Sequence, residues 1–430
     1  RGIDMPKNIL IRLVAFAGAV AVSGCLGSAP QSGSGSGSTG SGSSGDTGGS
    51  SSGGSSSGGS SSSGGSSASG SADGGAAASG TDPGLAARQI DYGQALRTAA
   101  VKLVGALPTL DEQAAVTDAA SYSAQIDKYL ADPRFAIQIK SYFGDMMKMG
   151  GTLAVTIGNT KSNVSLDTAP TFATELVIQD QPIMNMFTAT TNTCPTLSAD
   201  GTTFTDAVCP VGNGLKTAGI LTDPGAMAQF YSNMSFRRIR WIQESFDCTR
   251  MPAEYSAKPV TMGNGQYTSP WPFTSATGGT SALINFQDTS SVICMNCHST
   301  MNHMAPLFAN FDAGGVYQTT IQVHTPTPAN PISTLADWLP AGEQFYWRFG
   351  GTAVTDISGL GTQIAADSSV QKCQVQRAWN WAMSKTDIVN DLAVVPDSTI
   401  TDIMTVFNSG GMKMKAVFKA IFTAPDFVMF

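Results

Sequence analysis

The residues with the clearest chemical potential are two cysteines and a histidine in the segment VICMNCHSTMNHM, residues 292–304. Cys294 and Cys297 are separated by two residues, and His298 follows directly. This spacing is the attachment signature of c-type haem, in which two thiols bond to the porphyrin edge and the histidine binds the iron. The sequence therefore predicts one covalent haem c, with His298 as the proximal iron ligand.

Other uses of the two cysteines fit the sequence less well. A structural zinc site needs a further pair of ligands, and the chain has no second CxxC pair. A thioredoxin-like redox pair is expected beside a βαβ unit, which the sequence pattern does not indicate. A structural disulfide between Cys294 and Cys297 stays open as the alternative to haem attachment.

The sixth ligand of the iron is less well defined. Met301 follows His298 by three residues, so in a helix it would lie on the same side of the ring as the proximal ligand. His303 is also close in sequence, whereas Met149 and His324 lie on separate segments. These four residues are the candidate distal ligands, and an open sixth position is the alternative.

Three arginines, Arg237, Arg238 and Arg240, lie beside Trp241 in a predicted helix. Guanidinium groups match carboxylates in a forked geometry, so the cluster predicts contacts to the haem propionates. The alternative is a solvated helix face on which one arginine stacks against the tryptophan.

The N-terminal residues predict export and a lipid anchor. Basic residues flank the apolar run at 9–22, a pattern typical of a signal peptide and too short for a convincing transmembrane helix. The sequence VSGC that follows resembles the lipobox of bacterial lipoproteins, which implies cleavage before Cys25 and acylation of its thiol. Because Leu26 follows that cysteine, we expect the outer membrane or the cell surface. The alternative is an ordinary signal peptide with an incidental cysteine.

The amino-acid composition divides the chain into a Ser/Gly-rich linker and a part that can fold. Between residues 31 and 80, 22 residues are Ser and 18 are Gly, which cannot supply a core and predicts a disordered linker. Residues 85–430 carry 21 Lys or Arg against 27 Asp or Glu, without a basic stripe. We therefore expect no nucleic-acid partner. The expected partners are the membrane, through Cys25, and a redox protein.

Four cysteines remain after Cys25 and the CxxC pair are set aside, which favours two disulfides in an exported protein. Cys194 and Cys209 bracket a polar stretch with a turn at 199–201, so they are natural local partners. That pairing leaves Cys248 with Cys373. Buried free thiols are the alternative.

The folded part is predicted to be mainly α. Thr109 and Glu112 match a capping box, from which a helix is expected to about Ala119. A further helix is expected to begin at Asp132-Pro133 and to stop at Gly150-Gly151.

A second strong helix is expected to begin at Asp223-Pro224 and to continue through the arginine cluster. VQRAWNWAM and MKMKAVFKAIF give the clearest apolar helix faces near the C-terminus. The predicted organisation, in chain order, is a signal peptide (1–24), a disordered Ser/Gly-rich linker (25–84), an N-terminal helical module (85–150), an irregular or β insertion (151–217), a haem-binding module (218–335) and a C-terminal helical module (336–430).

Several segments resemble the planctomycete-type cytochrome c-like exported proteins. Residues 96–145 resemble their N-terminal helical module, with its GxLPT turn, and residues 218–248 resemble the Arg-rich helix that ends in a cysteine. Residues 294–317 are similar to their haem-attachment segment, and VQKCQVQRAWNWAM and FKAIFTAPDFV look like their C-terminal module. The resemblance implies helical cytochrome c-like modules.

The resemblance also implies site residues. It places haem attachment at Cys294, Cys297 and His298, and it implies that Met301, Asn310, Phe311 and Asp312 pack around that site. The chain departs from the family pattern where Asn302-His303 replaces Asp-Pro, so His303 could have a role peculiar to this chain.

The expected function is electron transfer by a membrane-tethered, monohaem, c-type cytochrome-like lipoprotein in the periplasm or at the cell surface. One alternative is a haem enzyme or sensor with an open distal iron site, favoured by the 346 residues of the folded part, which is large for a simple carrier. The other is a non-redox surface binding module.

Overall fold

The computed structural model describes residues 87–232, 235–251, 300–320, 344–348 and 351–430, together with the backbone of four two-residue strands between 261 and 284. The chain divides into two units, Arg1–Ala78 and Ser79–Phe430, and every described residue belongs to the second. The predicted signal peptide, the whole predicted linker with Cys25, the cysteines and histidine of the predicted haem motif, and His324 lie outside the described residues.

Helices dominate the described residues, which confirms the mainly α prediction. In the described part of the chain, none of these helices is both long enough and apolar enough to cross a bilayer. The helices are α1 (Tyr92–Val104), α2 (Leu110–Ala115), α3 (Ala119–Ala131), α4 (Pro133–Met147), α5 (Thr168–Ile178), α6 (Asn185–Thr188), α7 (Pro224–Gln229), α8 (Phe236–Phe246), a 3-10 helix (Ala305–Phe308), α9 (Ile357–Ala366), α10 (Ser368–Ala382), α11 (Asp397–Ser409), α12 (Met414–Phe422) and α13 (Pro425–Val428).

The strands are short and form antiparallel pairs, β1 with β2, β3 with β4, β5 with β6, β7 with β8 and β9 with β10. Their bounds are β1 (Thr152–Ile157), β2 (Thr160–Ser165), β3 (Thr196–Leu197), β4 (Phe204–Thr205), β5 (Thr261–Met262), β6 (Gly265–Gln266), β7 (Thr277–Gly278), β8 (Leu283–Ile284), β9 (Phe345–Tyr346) and β10 (Ala353–Val354).

Backbone hydrogen bonds join Gln89, near the start of the described residues, to Phe430. The amide of Gln89 donates to the carbonyl of Phe430 at 3.0 Å, and the amide of Phe430 donates back to Gln89 at 3.0 Å. The hydroxyl of Tyr122 on α3 also donates to the carbonyl of Phe422, at the end of α12, at 2.8 Å. The N-terminal helices therefore pack with the C-terminal ones, although they are far apart in sequence.

The capping box predicted at Thr109 and Glu112 is present, but its helix is shorter than expected. Helix α2 ends at Ala115 because Asp118 caps a new helix, accepting a hydrogen bond from the backbone amide of Ser121 at 2.8 Å. The prediction that this helix continues to about Ala119 is therefore wrong at its C-terminal end.

Helix α4 matches its prediction closely. The side chain of Asp132 caps it, Pro133 is its first residue, and Lys148 ends it in the left-handed conformation just before the predicted glycines. Its buried face carries apolar side chains at helical spacing: Phe135, Ile139, Tyr142, Phe143, Met146 and Met147.

The region 151–217 is predicted to be an irregular or β insertion, but it also contains the helices α5 and α6. Nine of the 11 residues of α5 are buried, among them Thr171, Thr174 and Glu175, so the helix lacks the exposed polar face that would identify it from sequence. The turn predicted at 199–201 is present between β3 and β4, where Gly201 has φ +75°.

The single helix expected from Asp223 is also wrong, because α7 and α8 are separate. Asp223 caps α7 as predicted, with its carboxylate accepting from the amide of Ala226 at 2.8 Å. The second helix starts after Ser235, whose φ of 56° breaks the helical path.

Both predicted cysteine pairs lie at disulfide-bonding distance. Cys194 pairs with Cys209, 15 residues away, and Cys248 pairs with Cys373, 125 residues away. The long-range pair joins the end of α8 to α10.

Two of the buried carboxyl groups have pKa values well above their ordinary range. Asp223 is fully buried and Glu175 on α5 is 5% exposed. Burial raises the pKa of Asp223 to about 6. Burial, together with the charge of nearby Asp206, raises the pKa of Glu175 to about 7.

Candidate functional site

The segment that directly follows the haem motif is buried along its first residues. Met301 is 8% exposed, His303 is 1% exposed, and Asn302 and Met304 are fully buried. The 3-10 helix that follows packs against α8. The structure therefore places the residues after the motif inside the core and not on a surface loop.

Arg238 of α8 holds this segment in place. Its guanidinium donates to the carbonyl oxygens of Phe308 at 2.8 Å, Asp312 at 3.2 Å and Phe311 at 3.3 Å. On the other side it donates twice to the carbonyl of Met227, at 2.8 and 3.0 Å. One side chain thus links α7, α8 and the segment after the haem motif; we call this set of contacts the Arg238 clamp.

The clamp uses the full donor capacity of the arginine. With a further bond to the hydroxyl of Ser235 at 3.1 Å, all five N–H groups of Arg238 have acceptors within the protein. The side chain is fully buried, and burial lowers the pKa of Arg238 to about 9, so the group stays charged at neutral pH. This geometry disfavours the predicted propionate contact for Arg238.

Arg237 and Arg240 are exposed and face a separate cleft of about 190 Å³, which they line with Lys148. The floor of this cleft is aromatic, because the rings of Phe230 and Trp241 stack there with centroids 5.0 Å apart. Arg240 donates to Glu244 at 2.7 Å, which neutralises one of the three positive charges. Of the three arginines, these two keep donor capacity for an anionic group.

Asp312 fixes the turn that follows the clamp. One of its carboxylate oxygens accepts from the amides of Gly314 at 2.8 Å and Val316 at 3.0 Å, and the other accepts from the side-chain amide of Gln318 at 2.7 Å. Gly315 lies inside this turn with φ +76°, and a Cβ atom there would lie 1.9 Å from the carbonyl oxygen of Pro224. The turn therefore depends on a glycine for both conformation and space.

We expect Gly315→Ala to lower the free energy of unfolding by about 3 kcal/mol, because a strained left-handed alanine would also collide with the backbone of α7. Gly411→Ala is the matched control, since Gly411 has φ +73° and no atom within 4 Å of the added Cβ. It should cost only about 1 kcal/mol. Urea denaturation of both variants measures the difference, and equal losses would contradict the close contact at Gly315.

His303 has a defined tautomer. Its Nδ1 lies 2.8 Å from the carbonyl oxygen of Gln344, and a carbonyl can only accept, so Nδ1 carries the proton. In the neutral imidazole the lone pair is then on Nε2. Ligating histidines in metalloproteins are commonly oriented in this way, by an Nδ1–H bond to a backbone carbonyl. The ring also packs edge-on to Tyr346, with centroids 5.4 Å apart.

The segment that supplies this carbonyl, which leads into β9, is anchored by Arg348. Its guanidinium bridges Asp247, at 2.8 Å from Nη1, and Asp367, at 2.7 Å from Nε. The indole of Trp347 donates to Asp367 as well, at 2.8 Å. Burial alone would lower the pKa of Arg348, but hydrogen bonds to the two carboxylates raise it above its ordinary value. The residues around β9 are thereby tied to the ends of α8 and α10.

The structure brings together only part of the predicted site. Met301 and His303 share one buried segment next to the Arg238 clamp, whereas Met149 lies at the end of α4, where its amide donates to Gly144. Sequence reasoning missed the role of Arg348, because its acidic partners lie 101 and 19 residues away and no local pattern marks them.

One group of three metal-ligating side chains occurs among the residues that the structure describes: Cys194, Cys209 and Asp223, with ligating atoms within 4.8 Å of one another. The two sulfur atoms are bonded to each other, so neither is available as a thiolate ligand. This group is therefore a buried disulfide beside a carboxyl group.

Comparisons of the chain with protein-family models, with curated proteins and with solved structures found no match. Function must therefore be inferred from the residues and their geometry.

Proposed function

We propose that this chain is a monohaem, c-type cytochrome-like lipoprotein that is anchored through Cys25 and transfers electrons in the periplasm or at the cell surface. The observation that carries the proposal is the spacing of Cys294, Cys297 and His298, the attachment signature of haem c. When bound, haem supplies a one-electron redox couple at its iron. The partner is then a redox protein.

The residues after the motif support this proposal because they are held in one conformation. The Arg238 clamp fixes the carbonyls of Phe308, Phe311 and Asp312, and the Asp312 turn fixes the next six residues. A covalent cofactor attached a few residues upstream would thus lie next to a rigid support. In this interpretation Arg238 orients the segment, whereas Arg237 and Arg240 are the two arginines that could contact propionates.

Among the candidate distal ligands we favour His303. Its tautomer places the lone pair on Nε2, as iron ligation requires. The described helical residues after the motif end at Met301, and residues 302–304 form a turn. The helical spacing that would place Met301 on the same side as His298 therefore would not extend to His303.

Haem content of the full chain tests the proposal. Expressed with its own signal sequence in a host that matures c-type cytochromes, the purified protein should carry one covalent haem, measured by intact mass and by the pyridine haemochrome spectrum. The double variant Cys294→Ser/Cys297→Ser should lose it. A wild-type chain without covalent haem, with Cys294 bonded to Cys297, would establish the disulfide alternative instead.

The ferric spectrum then tests the distal ligand. The wild type should be low-spin, and His303→Ala should become high-spin, while Met149→Leu and Met301→Leu, which keep side-chain volume, should not. A wild-type spectrum that is already high-spin and responds to cyanide would favour the haem enzyme or sensor. An unchanged spectrum in His303→Ala would remove this residue from the ligand set.

A further inference from the structure

Three cationic side chains surround the cleft beside α8, which we call the basic cleft. Arg237 and Arg240 lie three residues apart on α8 and so share one face of the helix, and Lys148, at the end of α4, lines the same cleft. All three side chains are exposed, that of Arg240 to 58% and that of Lys148 to 45%. A ligand that enters the basic cleft can therefore reach every one of these charges.

The carboxylate of Glu244 also lines the basic cleft, but its side chain is only 8% exposed. One of its oxygens accepts from the Nε of Arg240 at 2.7 Å, and the other lies 3.6 Å from the ammonium group of Lys148. The negative charge thus lies below two of the cations and holds them in position. Three cations and one carboxylate leave the described lining with a net charge of +2.

The arginines of the basic cleft keep donors that the fold does not use. Glu244 takes the Nε–H of Arg240, whereas the two terminal nitrogens of Arg240 have no hydrogen-bond acceptor among the described residues. Arg237 makes one long side-chain contact, 3.4 Å, to the carbonyl oxygen of Tyr231. A ligand of the basic cleft must therefore supply acceptors, and the net charge favours an anion.

The floor of the basic cleft is rigid and supplies no oxygen acceptor. The stacked ring of Trp241 is fixed by its indole N–H, which donates to the carbonyl of Met147 at 3.0 Å, and Phe230 lies against its face. Since aromatic rings are less polarisable by charge than water, attraction between the cations and a bound anion is stronger above this floor than in bulk solvent.

We propose that the basic cleft binds a phosphomonoester, whose terminal oxygens accept from Arg237, Arg240 and Lys148. A phosphomonoester carries about −1.5 to −2 charges at pH 7 and three acceptor oxygens, which match the net charge of the lining and its three cations. A carboxylate has one charge and two oxygens in one plane, so it leaves one cation without a partner. Soluble organic phosphates and the headgroup of phosphatidic acid both present the required group.

Phenyl phosphate is the first probe, titrated into the full chain at pH 7 in phosphate-free buffer and followed by calorimetry. We expect saturable binding, with phenylacetate, which keeps the ring but has one charge, at least about tenfold weaker. Arg237→Met should weaken phenyl phosphate about tenfold, the loss of one hydrogen bond between charged groups.

Arg97→Met is the matched control, because Arg97 is an exposed arginine of α1 that does not line the basic cleft. It removes the same charge and should leave the affinity for phenyl phosphate unchanged. Equal losses of affinity in the two variants, or phenylacetate bound as tightly as phenyl phosphate, would show that the cations do not form a phosphate site.

Dihexanoyl phosphatidic acid, kept below its micelle concentration, is the lipid probe. Tighter binding than phenyl phosphate assigns the basic cleft to a lipid headgroup, and equal or weaker binding assigns it to a soluble ester. Absence of saturable binding of both esters overturns the phosphate site.

The variant Cys294→Ser/Cys297→Ser distinguishes this ligand from haem propionates. It should bind phenyl phosphate with the affinity of the wild type, since neither cysteine lines the basic cleft. Binding by the double variant alone would assign Arg237 and Arg240 to the propionates and overturn the phosphate site. Haem content is measured separately, so a chain without haem still gives a clear result.

Discussion

Replacing Arg238 with methionine should lower the free energy of unfolding by about 4 kcal/mol or more. The apolar side chain fills similar space but removes every donor of the Arg238 clamp, and it leaves the carbonyls of Met227, Phe308, Phe311 and Asp312 without this partner. The carbonyls of Phe308 and Asp312 keep bonds from Ser235 and Gly315, so the loss comes mainly from the carbonyls of Met227 and Phe311, at about 1 to 3 kcal/mol for each buried acceptor left unsatisfied. Arg238→Lys should recover little, because an ammonium group cannot reproduce five N–H groups in one plane.

Urea denaturation followed by circular dichroism measures this effect. Arg237→Met is the matched control on the same helix, since Arg237 is exposed and makes one long contact, 3.4 Å, to the carbonyl of Tyr231. The control should lie within about 0.5 kcal/mol of the wild type. A loss in Arg238→Met no larger than that of the control would mean that the clamp does not stabilise the fold.

The second large effect concerns the long-range disulfide. Removing it in Cys248→Ala/Cys373→Ala should lower the free energy of unfolding by about 4 to 5 kcal/mol, because the bond closes a loop of more than 100 residues in the unfolded chain. It also joins α8 to α10 near the ion pairs of Arg348, so its loss should loosen the strand that supports His303.

Cys194→Ala/Cys209→Ala provides the comparison, since that bond spans only 15 residues and should contribute about 3 kcal/mol. Melting curves of the two double variants, recorded under the same conditions, show which disulfide contributes more to stability. A larger loss on removing the short-range bond would contradict the loop-entropy explanation and would indicate that local packing around Asp223 dominates.

The parts of the fold that could be predicted from sequence are those with local causes. Asp132 and Pro133 begin α4, its apolar stripe follows helical spacing, and Lys148 with two glycines ends it, all within 20 residues. The turn at 199–201 likewise depends on an adjacent Asp-Gly pair.

The parts that could not be predicted depend on distant partners. Helix α5 buries polar as well as apolar side chains, so no solvent-exposed polar face marks it. The break between α7 and α8 depends on Ser235, whose hydroxyl donates to the carbonyl of Phe308, 73 residues later. From sequence, Arg238 is one of three clustered arginines, interpreted as propionate contacts or as a solvated helix face. Only the fold shows that several of its hydrogen-bond acceptors lie in the segment after the predicted haem motif.

The candidate site likewise has residues that local sequence predicts and residues whose roles depend on distant partners. The attachment residues Cys294, Cys297 and His298 follow from spacing alone and stay a prediction. The orientation of His303 is visible only in the structure, because its hydrogen-bond acceptor is the backbone of Gln344, 41 residues along the chain. No side-chain pattern in the sequence could have indicated a backbone acceptor.

The buried carboxyl groups of Glu175 and Asp223 make folding a proton-uptake reaction. Their pKa values rise from 4.5 and 3.8 to about 7 and about 6. Between the lower and the higher values the folded protein therefore binds more protons than the unfolded chain, and stability falls as the pH rises through that interval. A mildly acidic medium would thus favour the native state, and a chain that folds at neutral pH would draw protons from its surroundings as α5 and the cap of α7 become buried.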